Sequence, residues 1–84
     1  MAEVVIYTKT YCPFSQKCKE FLKEKNVEFD EKLVDGDPLT LAEMKIKSGE
    51  RVDTPQIFIN GHHIGNYDDL KTLEAGGKLG KLLK

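Results

Sequence analysis

The spacing of hydrophobic residues in the first part of the chain changes twice, and each spacing predicts a different element. The β-branched run Val4-Val5-Ile6, within residues 3–8, is typical of a buried strand. Apolar residues then recur at helical spacing, which predicts a helix that begins at Pro13 and ends near Asn26; they are Phe14, Cys18, Phe21 and Leu22. Alternation of apolar and polar positions over residues 27–33 predicts a second strand.

Cap and turn residues predict the next helix and a hairpin. Asp37 and Pro38 suit the N-cap and the first turn of a helix that runs to about Ser48, with Gly49 as its end. Residues 56–59 predict a third strand. The pair Asn60-Gly61 that follows them predicts a two-residue hairpin.

The end of the chain completes the pattern. Residues 62–64 are expected to be the return strand of the hairpin, and residues 68–75 a third helix that stops at Gly76-Gly77. Residues 78–83 are expected to form a last turn. The order β-α-β-α-β-β-α predicts the α/β class, with a four-stranded mixed sheet flanked by helices. The first two strands are expected to be parallel with a right-handed connection, and residues 1–84 to form a single domain.

Composition and charge exclude several classes of function. The 13 basic and 14 acidic side chains leave a net charge of −1, which argues against binding to nucleic acid or to an anionic membrane. No apolar run has membrane-spanning length, and residues 1–3 lack the features of a signal peptide, so we expect a cytoplasmic protein. His62 and His63 are neighbours that point to opposite faces of a strand, so no metal site is expected.

Cys12 carries the candidate chemistry. It follows the first strand and directly precedes the helix that begins at Pro13, where helix N–H groups and the charges of Lys9 and Lys17 favour a thiolate over a thiol. An ordinary exposed or buried thiol is the alternative interpretation of the same position.

Four blocks, in this order and with fitting spacing, show that the sequence resembles the glutaredoxins, small thioredoxin-fold proteins that use glutathione. The blocks are Tyr7-Thr8-Lys9, Cys12-Pro13-Phe14-Ser15, residues 54–59 beginning Thr54-Pro55, and residues 60–70. The resemblance covers nearly the whole chain. It implies the thioredoxin fold and an enzyme that reduces glutathione mixed disulfides, with glutathione as co-substrate and glutathionylated proteins or small mixed disulfides as partners.

The resemblance also implies roles for individual residues. Cys12 would be the nucleophile that forms a mixed disulfide with glutathione, and Lys9 would bind the glycine carboxylate. The backbone N–H groups of Tyr67 and Asp68 would bind the γ-glutamyl carboxylate, because a helix N-terminus is an anion site. The side chain of Asp68 or Asp69 would bind the ammonium group.

Further glutathione contacts are implied beside the thiol. Phe14 belongs to them, and Pro55 is expected to be cis, which would leave the backbone of Thr54 free to pair with the peptide. Each assignment has a simpler alternative: Asp68 as a helix N-cap, Pro55 as the mark of a sheet edge, and Lys9 as a surface lysine.

The sequence departs from the dithiol glutaredoxins at Ser15, where they carry a second cysteine. A disulfide between positions 12 and 15 is therefore impossible, and a monothiol mechanism through Cys12 remains. The Ser15 hydroxyl either donates a hydrogen bond to the thiolate or is an inert first-turn serine. Cys18 is no replacement, because six helical residues rise about 9 Å and a disulfide allows about 7 Å between Cα atoms; we expect a buried core thiol.

Two other functions stay open on the sequence alone. One is an iron–sulfur carrier in which Cys12 and glutathione of two chains hold a cluster; the other is a thioredoxin-like interaction module without catalysis. Pro13 and the short Thr10-Tyr11 segment argue against the carrier, whose family pattern has glycine after the cysteine and a longer loop before it. Asp53-Thr54-Pro55 stands where the family pattern has Thr-Val-Pro, which puts an acid near a site that binds carboxylates and predicts weaker binding of glutathione. Asn66 replaces the second glycine of the usual Gly-Gly pair. We expect a monomer.

Overall fold

Eight helices and strands follow one another along residues 2–84, the part of the chain that the computed structural model describes. They are β1 (Val4–Thr8), α1 (Pro13–Glu24), β2 (Asp30–Leu33), α2 (Pro38–Lys47), β3 (Gln56–Ile59), β4 (His62–Gly65), α3 (Tyr67–Ala75) and α4 (Leu79–Leu82). The order confirms the prediction, with α4 in the expected last turn. None of these helices combines the length and the hydropathy needed to cross a lipid bilayer.

The four strands form one mixed sheet in the order β2-β1-β3-β4. β1 is parallel to β2 and antiparallel to β3, and β4 runs antiparallel to β3. Asn60 (φ 52°) and Gly61 (φ 81°) connect β3 to β4 with positive φ at both positions, the geometry that favours asparagine and glycine in a two-residue hairpin. The predicted four-stranded mixed sheet is therefore confirmed.

Apolar residues lie on both faces of the sheet. Alternate residues of β1 and β3, such as Ile6 and Ile57, pack with Leu22 of α1 and Leu70 of α3. The residues between them point to the other face, where Tyr7 and Phe58 pack with Val34 and Met44. The central strands β1 and β3 are thus covered on both sides.

The second strand is shorter and more exposed than predicted. Val27 and Phe29 contact the core from the segment before β2, and all four residues of β2 are exposed. β2 is an edge strand, so its side chains are not covered by neighbours on two sides. The prediction of a strand over residues 27–33 was therefore wrong at its start, because β2 begins only at Asp30. The residue directly after β2, Val34, is the one that is buried.

Two predictions about α1 were also imprecise. The helix ends at Glu24 rather than near Asn26, because Asn26 has φ 58° and cannot continue a right-handed helix. Phe14 shares the helical spacing of Cys18 and Leu22, but 52% of its surface is exposed, so it does not belong to the core.

Helix α3 begins at Tyr67, one residue earlier than predicted, because Asn66 caps it. The Asn66 side chain accepts a hydrogen bond from the Asp69 N–H (3.0 Å), and the Asp69 carboxylate accepts one from the Asn66 N–H (2.9 Å). Asn66 has φ −91°, a backbone conformation that does not require glycine. The preceding residue, Gly65, has φ 120°, and a Cβ atom there would collide with the Asp69 carboxylate.

Candidate active site

The Cys12 thiol lies at the N-terminus of α1, one short turn beyond the end of β1. Cys12 occupies the N-cap position with extended backbone (φ −99°, ψ 115°), and Pro13 is the first helical residue. The carbonyl of Cys12 accepts the first hydrogen bond of the helix, from the Gln16 N–H at 3.1 Å. The thiol therefore projects from a position where helix N–H groups are not yet paired within the helix.

Thr54 brings a second segment of the chain against the sulfur. The Thr54 hydroxyl donates a hydrogen bond to the Cys12 Sγ at 3.2 Å, and the thiol donates one to the Thr54 carbonyl at 3.5 Å. The bond between Thr54 and Pro55 is cis, as expected from the sequence. Pro55 itself is buried behind Thr54, at the start of β3.

The surroundings of Cys12 favour its ionised form. Partial burial acts to raise the pKa of the thiol, but the nearby hydroxyls of Ser15 and Thr54 and the backbone at Ser15 and Phe14 lower it by more. The pKa of Cys12 consequently lies below its ordinary value, so a larger fraction of the thiol is thiolate near neutral pH. The position of Cys12 at the start of the helix, predicted from the sequence, explains the lowering of its pKa by backbone groups. The contact with Thr54 explains a further part of the lowering.

Ser15 is fully buried one helical turn below Cys12. Its hydroxyl has no hydrogen-bond partner within residues 2–84, although buried hydroxyls are normally paired. It is one of the groups near Cys12 that lower the pKa of the thiol. No hydrogen bond within residues 2–84 satisfies this buried hydroxyl. A negatively charged Cys12 sulfur would be an acceptor for it.

Cys18 has the opposite environment, as expected of a core thiol. It is fully buried in the cluster formed by α1, α3 and the sheet. Burial raises the pKa of the Cys18 thiol to about 12, against a smaller lowering effect of the Lys19 charge. Cys18 is therefore protonated at physiological pH and sealed from solvent.

A cavity of about 150 Å³ is lined in part by Thr54, whose hydroxyl contacts the Cys12 sulfur. Its lining comes from three parts of the chain that the fold brings together: Phe14 of α1, Asp53 and Thr54 before β3, and Asn66, Tyr67 and Asp68 at the start of α3. Four of the residues assigned to glutathione by resemblance thus share one cavity, namely Phe14, Thr54, Tyr67 and Asp68.

The other assigned residues lie outside that lining. The Asp69 carboxylate is engaged in the cap of α3 and accepts a 3.4 Å hydrogen bond from Arg51, so of these two aspartates only Asp68 lines the cavity. Lys9 is exposed and lines a different, wider cavity of about 590 Å³ with Asp35 and Val52. Lys9 and Asp68 therefore line different cavities.

Arg51 is a residue that sequence reasoning missed. It donates two hydrogen bonds to the Asp53 carboxylate, at 2.7 and 3.1 Å, and Asn66 donates a third at 3.2 Å. These bonds, and those from Arg51 above all, lower the pKa of Asp53 to about 2 although burial acts to raise it. The acid that the sequence placed near a carboxylate-binding site is thus paired with a cation. An arginine two residues before the aspartate was the available signal.

Comparison with known proteins agrees with this geometry. The family model described as Glutaredoxin matches residues 4–64. The chain is 48% identical to Glutaredoxin 3 of Escherichia coli (strain K12) over 84 residues, covering all of both proteins. It is similar to the solution structure of a glutaredoxin from Brucella melitensis, with a TM-score of 0.86 and 45% identity over 100% of this chain and 90% of that one. It is also similar to the crystal structure of a buckwheat glutaredoxin–glutathione complex, with a TM-score of 0.88 and 25% identity over 98% and 76% of the two chains. The thioredoxin fold predicted from the sequence is confirmed.

Proposed function

Because the chain belongs to the glutaredoxin family, which implies a glutathione-dependent thiol oxidoreductase, we propose that it reduces glutathione mixed disulfides by a monothiol mechanism through Cys12. The observation that carries this proposal is the contrast between the two cysteines. Cys12 is partly exposed and has a lowered pKa, whereas Cys18 is buried and protonated. One sulfur is therefore available for thiol–disulfide exchange.

In the first step, the Cys12 thiolate attacks the glutathione sulfur of a mixed disulfide R–S–SG. The S–S bond of the substrate breaks, a new bond joins Cys12 to the glutathione sulfur, and R–S⁻ leaves and takes a proton from water. Exchange requires the attacking group to be a thiolate, which the hydrogen bonds at Cys12 favour.

In the second step, the thiolate of another glutathione attacks the glutathione sulfur bound to Cys12. Glutathione disulfide forms and Cys12 leaves as a thiolate, so the enzyme returns to its starting state. The net reaction converts R–S–SG and one glutathione into R–SH and glutathione disulfide. No second protein thiol takes part, which agrees with serine at position 15.

The cavity beside the thiol is the proposed site for the glutathione moiety. The N–H groups of Tyr67 and Asp68 would bind the γ-glutamyl carboxylate at the start of α3, and the Asp68 carboxylate would bind the ammonium group. The backbone of Thr54 would pair with the cysteinyl unit, with Phe14 against it. Lys9 would reach the glycine carboxylate from outside the cavity, and the protein would act as a monomer.

A glutathione-linked assay on a small mixed disulfide tests the mechanism. We expect turnover in the parent protein and in Cys18→Ser, and a loss of at least about a hundredfold in Cys12→Ser, because no other thiolate can attack. Intact mass should show one glutathione adduct on the parent protein and on Cys18→Ser, and none on Cys12→Ser. Unchanged turnover in Cys12→Ser, or a parent protein without turnover, would contradict the proposal.

A further inference from the structure

The Thr54 side chain is the only side chain within residues 2–84 whose hydroxyl makes a direct hydrogen bond to the Cys12 sulfur. The distance from Thr54 Oγ1 to Cys12 Sγ is 3.2 Å, and the hydroxyl makes no other hydrogen bond within these residues. The resemblance to known proteins gave Thr54 a role only through its backbone. The side chain therefore adds an interaction that the family pattern, with valine in this place, does not contain.

The fold does not need this hydrogen bond to hold the segment in place. Buried Gln56 donates to the carbonyl of Asp53 at 2.9 Å, and Arg51 binds the Asp53 carboxylate, so the chain before Pro55 has its own anchors. The Thr54 hydroxyl points instead at the Cys12 sulfur, a protein atom whose charge changes during the proposed reaction.

The Cys12 sulfur carries a full negative charge at two stages of that reaction: before it attacks the substrate and when it leaves glutathione. A hydrogen bond from a neutral hydroxyl to an anion is stronger than the same bond to a neutral thiol. The Thr54 hydroxyl therefore stabilises the thiolate more than the thiol, and the adduct with glutathione gains less from it than the free thiolate does.

We propose that Thr54 is a catalytic residue whose hydroxyl stabilises the Cys12 sulfur both as nucleophile and as leaving group. This inference rests on the proposed function for its role in turnover, but its physical basis is a property of the free enzyme. The role belongs to the side chain and is additional to any pairing of the Thr54 backbone with substrate.

Thr54→Val and Thr54→Ser form a matched pair for testing it. Valine keeps the shape of threonine without the hydroxyl, and serine keeps the hydroxyl. The charged side chains of the elements around the thiol, Lys9, Lys17, Asp53 and Asp68, are the same in both variants. A difference between the two variants therefore reports the hydroxyl.

The measurement is a titration of the Cys12 thiolate by its ultraviolet absorbance, supported by the pH dependence of alkylation. Cys18, with a pKa of about 12, does not titrate in the same range. We expect the ratio of thiolate to thiol below the pKa to fall about tenfold in Thr54→Val and to change little in Thr54→Ser. Turnover at neutral pH should fall in Thr54→Val alone.

Parent-like titration of Thr54→Val overturns the proposal, and so do equal changes in the two variants. Should Thr54→Val fail to fold by circular dichroism, Thr54→Ala replaces it in the same comparison with Thr54→Ser. The titration needs no glutathione, so a failed mixed-disulfide assay and a failed Thr54 effect are separate results.

Discussion

At the scale of single residues, position rather than residue type decides the chemistry of the two cysteines. Cys12 and Cys18 stand on the same helix, six residues apart, and their pKa values move in opposite directions. Cys12 lies where hydrogen-bond donors meet a partly exposed sulfur, whereas Cys18 points into the apolar core. Position along one helix, together with the contact from Thr54, therefore gives the two thiols opposite pKa shifts.

Ser15 should act on reactivity without supporting the fold. Ser15→Ala removes a nearby hydroxyl that lowers the pKa of Cys12, so that pKa should rise. A thiol reacts as the thiolate, so the increase in alkylation rate with pH should move to higher pH. The free energy of unfolding should stay within about 1 kcal/mol or increase, because the hydroxyl is buried without a partner.

Ser48→Ala is the matched control for this experiment. Ser48 is also buried, but its hydroxyl donates to the Arg51 carbonyl at 3.4 Å. Its removal should lower stability by about 1 kcal/mol and leave the Cys12 profile unchanged. An alkylation profile that is the same in Ser15→Ala and in the parent protein would assign Ser15 to the inert alternative.

Sequence reasoning predicted Cys12 as the reactive thiol and Ser15 as its neighbour on the helix, but not a contact from the hydroxyl of Thr54. The relation of Cys12 to Ser15 is local, since both lie in one helical turn. The contact of Thr54 with Cys12 joins residues that are 42 positions apart and depends on how the loop before β3 is anchored. Periodicity and cap signals carry no information about such a contact.

At the scale of elements, the start of α3 is fixed by a glycine that no other residue can replace without rearrangement. Gly65 combines φ 120° with close contact to the Asp69 carboxylate, which caps the helix. The same helix start supplies Tyr67 and Asp68 to the cavity beside the thiol. A change at Gly65 should therefore affect both stability and ligand binding.

Gly65→Ala should destabilise the protein by about 2–4 kcal/mol, because it adds backbone strain and displaces the cap. Gly61→Ala is the comparison: Gly61 also has positive φ (81°), but its Cβ would meet open space, and a cost of about 1 kcal/mol is expected. Urea unfolding measures both variants. Glutathione affinity should fall in Gly65→Ala only, and equal losses of stability would mean that the contact with Asp69 is unimportant.

The elements that were well predicted are those with local signals at both ends. β3 has the predicted bounds because Pro55 precedes it and Asn60-Gly61 follows it, and α2 begins at Pro38 because Asp37 caps it. β2 was predicted too long, since its extent depends on pairing with β1 alone. Cap and turn residues in the sequence define the ends of β3 and the start of α2, whereas the length of the edge strand β2 depends on its pairing with β1.

At the scale of the whole molecule, the sheet and its helices isolate one thiol from solvent. The native protein should therefore show one reactive thiol with a chromogenic disulfide reagent at neutral pH, and two after denaturation. With a pKa of about 12, Cys18 has a thiolate fraction on the order of 10⁻⁵ at pH 7, and burial blocks the reagent as well. Cys12→Ser should show no reactive thiol when native and one when denatured. Two thiols that react rapidly with the reagent in the native parent protein would show that the core around α1 opens readily.

The exposed edge strand β2 has a consequence for how the protein behaves in a crowded solution. An uncovered edge offers unpaired N–H and C=O groups to which a strand of a second molecule can add. Three of the four residues of β2 are charged, Asp30, Glu31 and Lys32, and the last two form ion pairs at 2.9 Å with Lys19 and Glu43 of the same chain. A second molecule would have to bring its own strand against these charges. The strand that was hardest to delimit from the sequence is thus the one that opposes growth of the sheet into an aggregate.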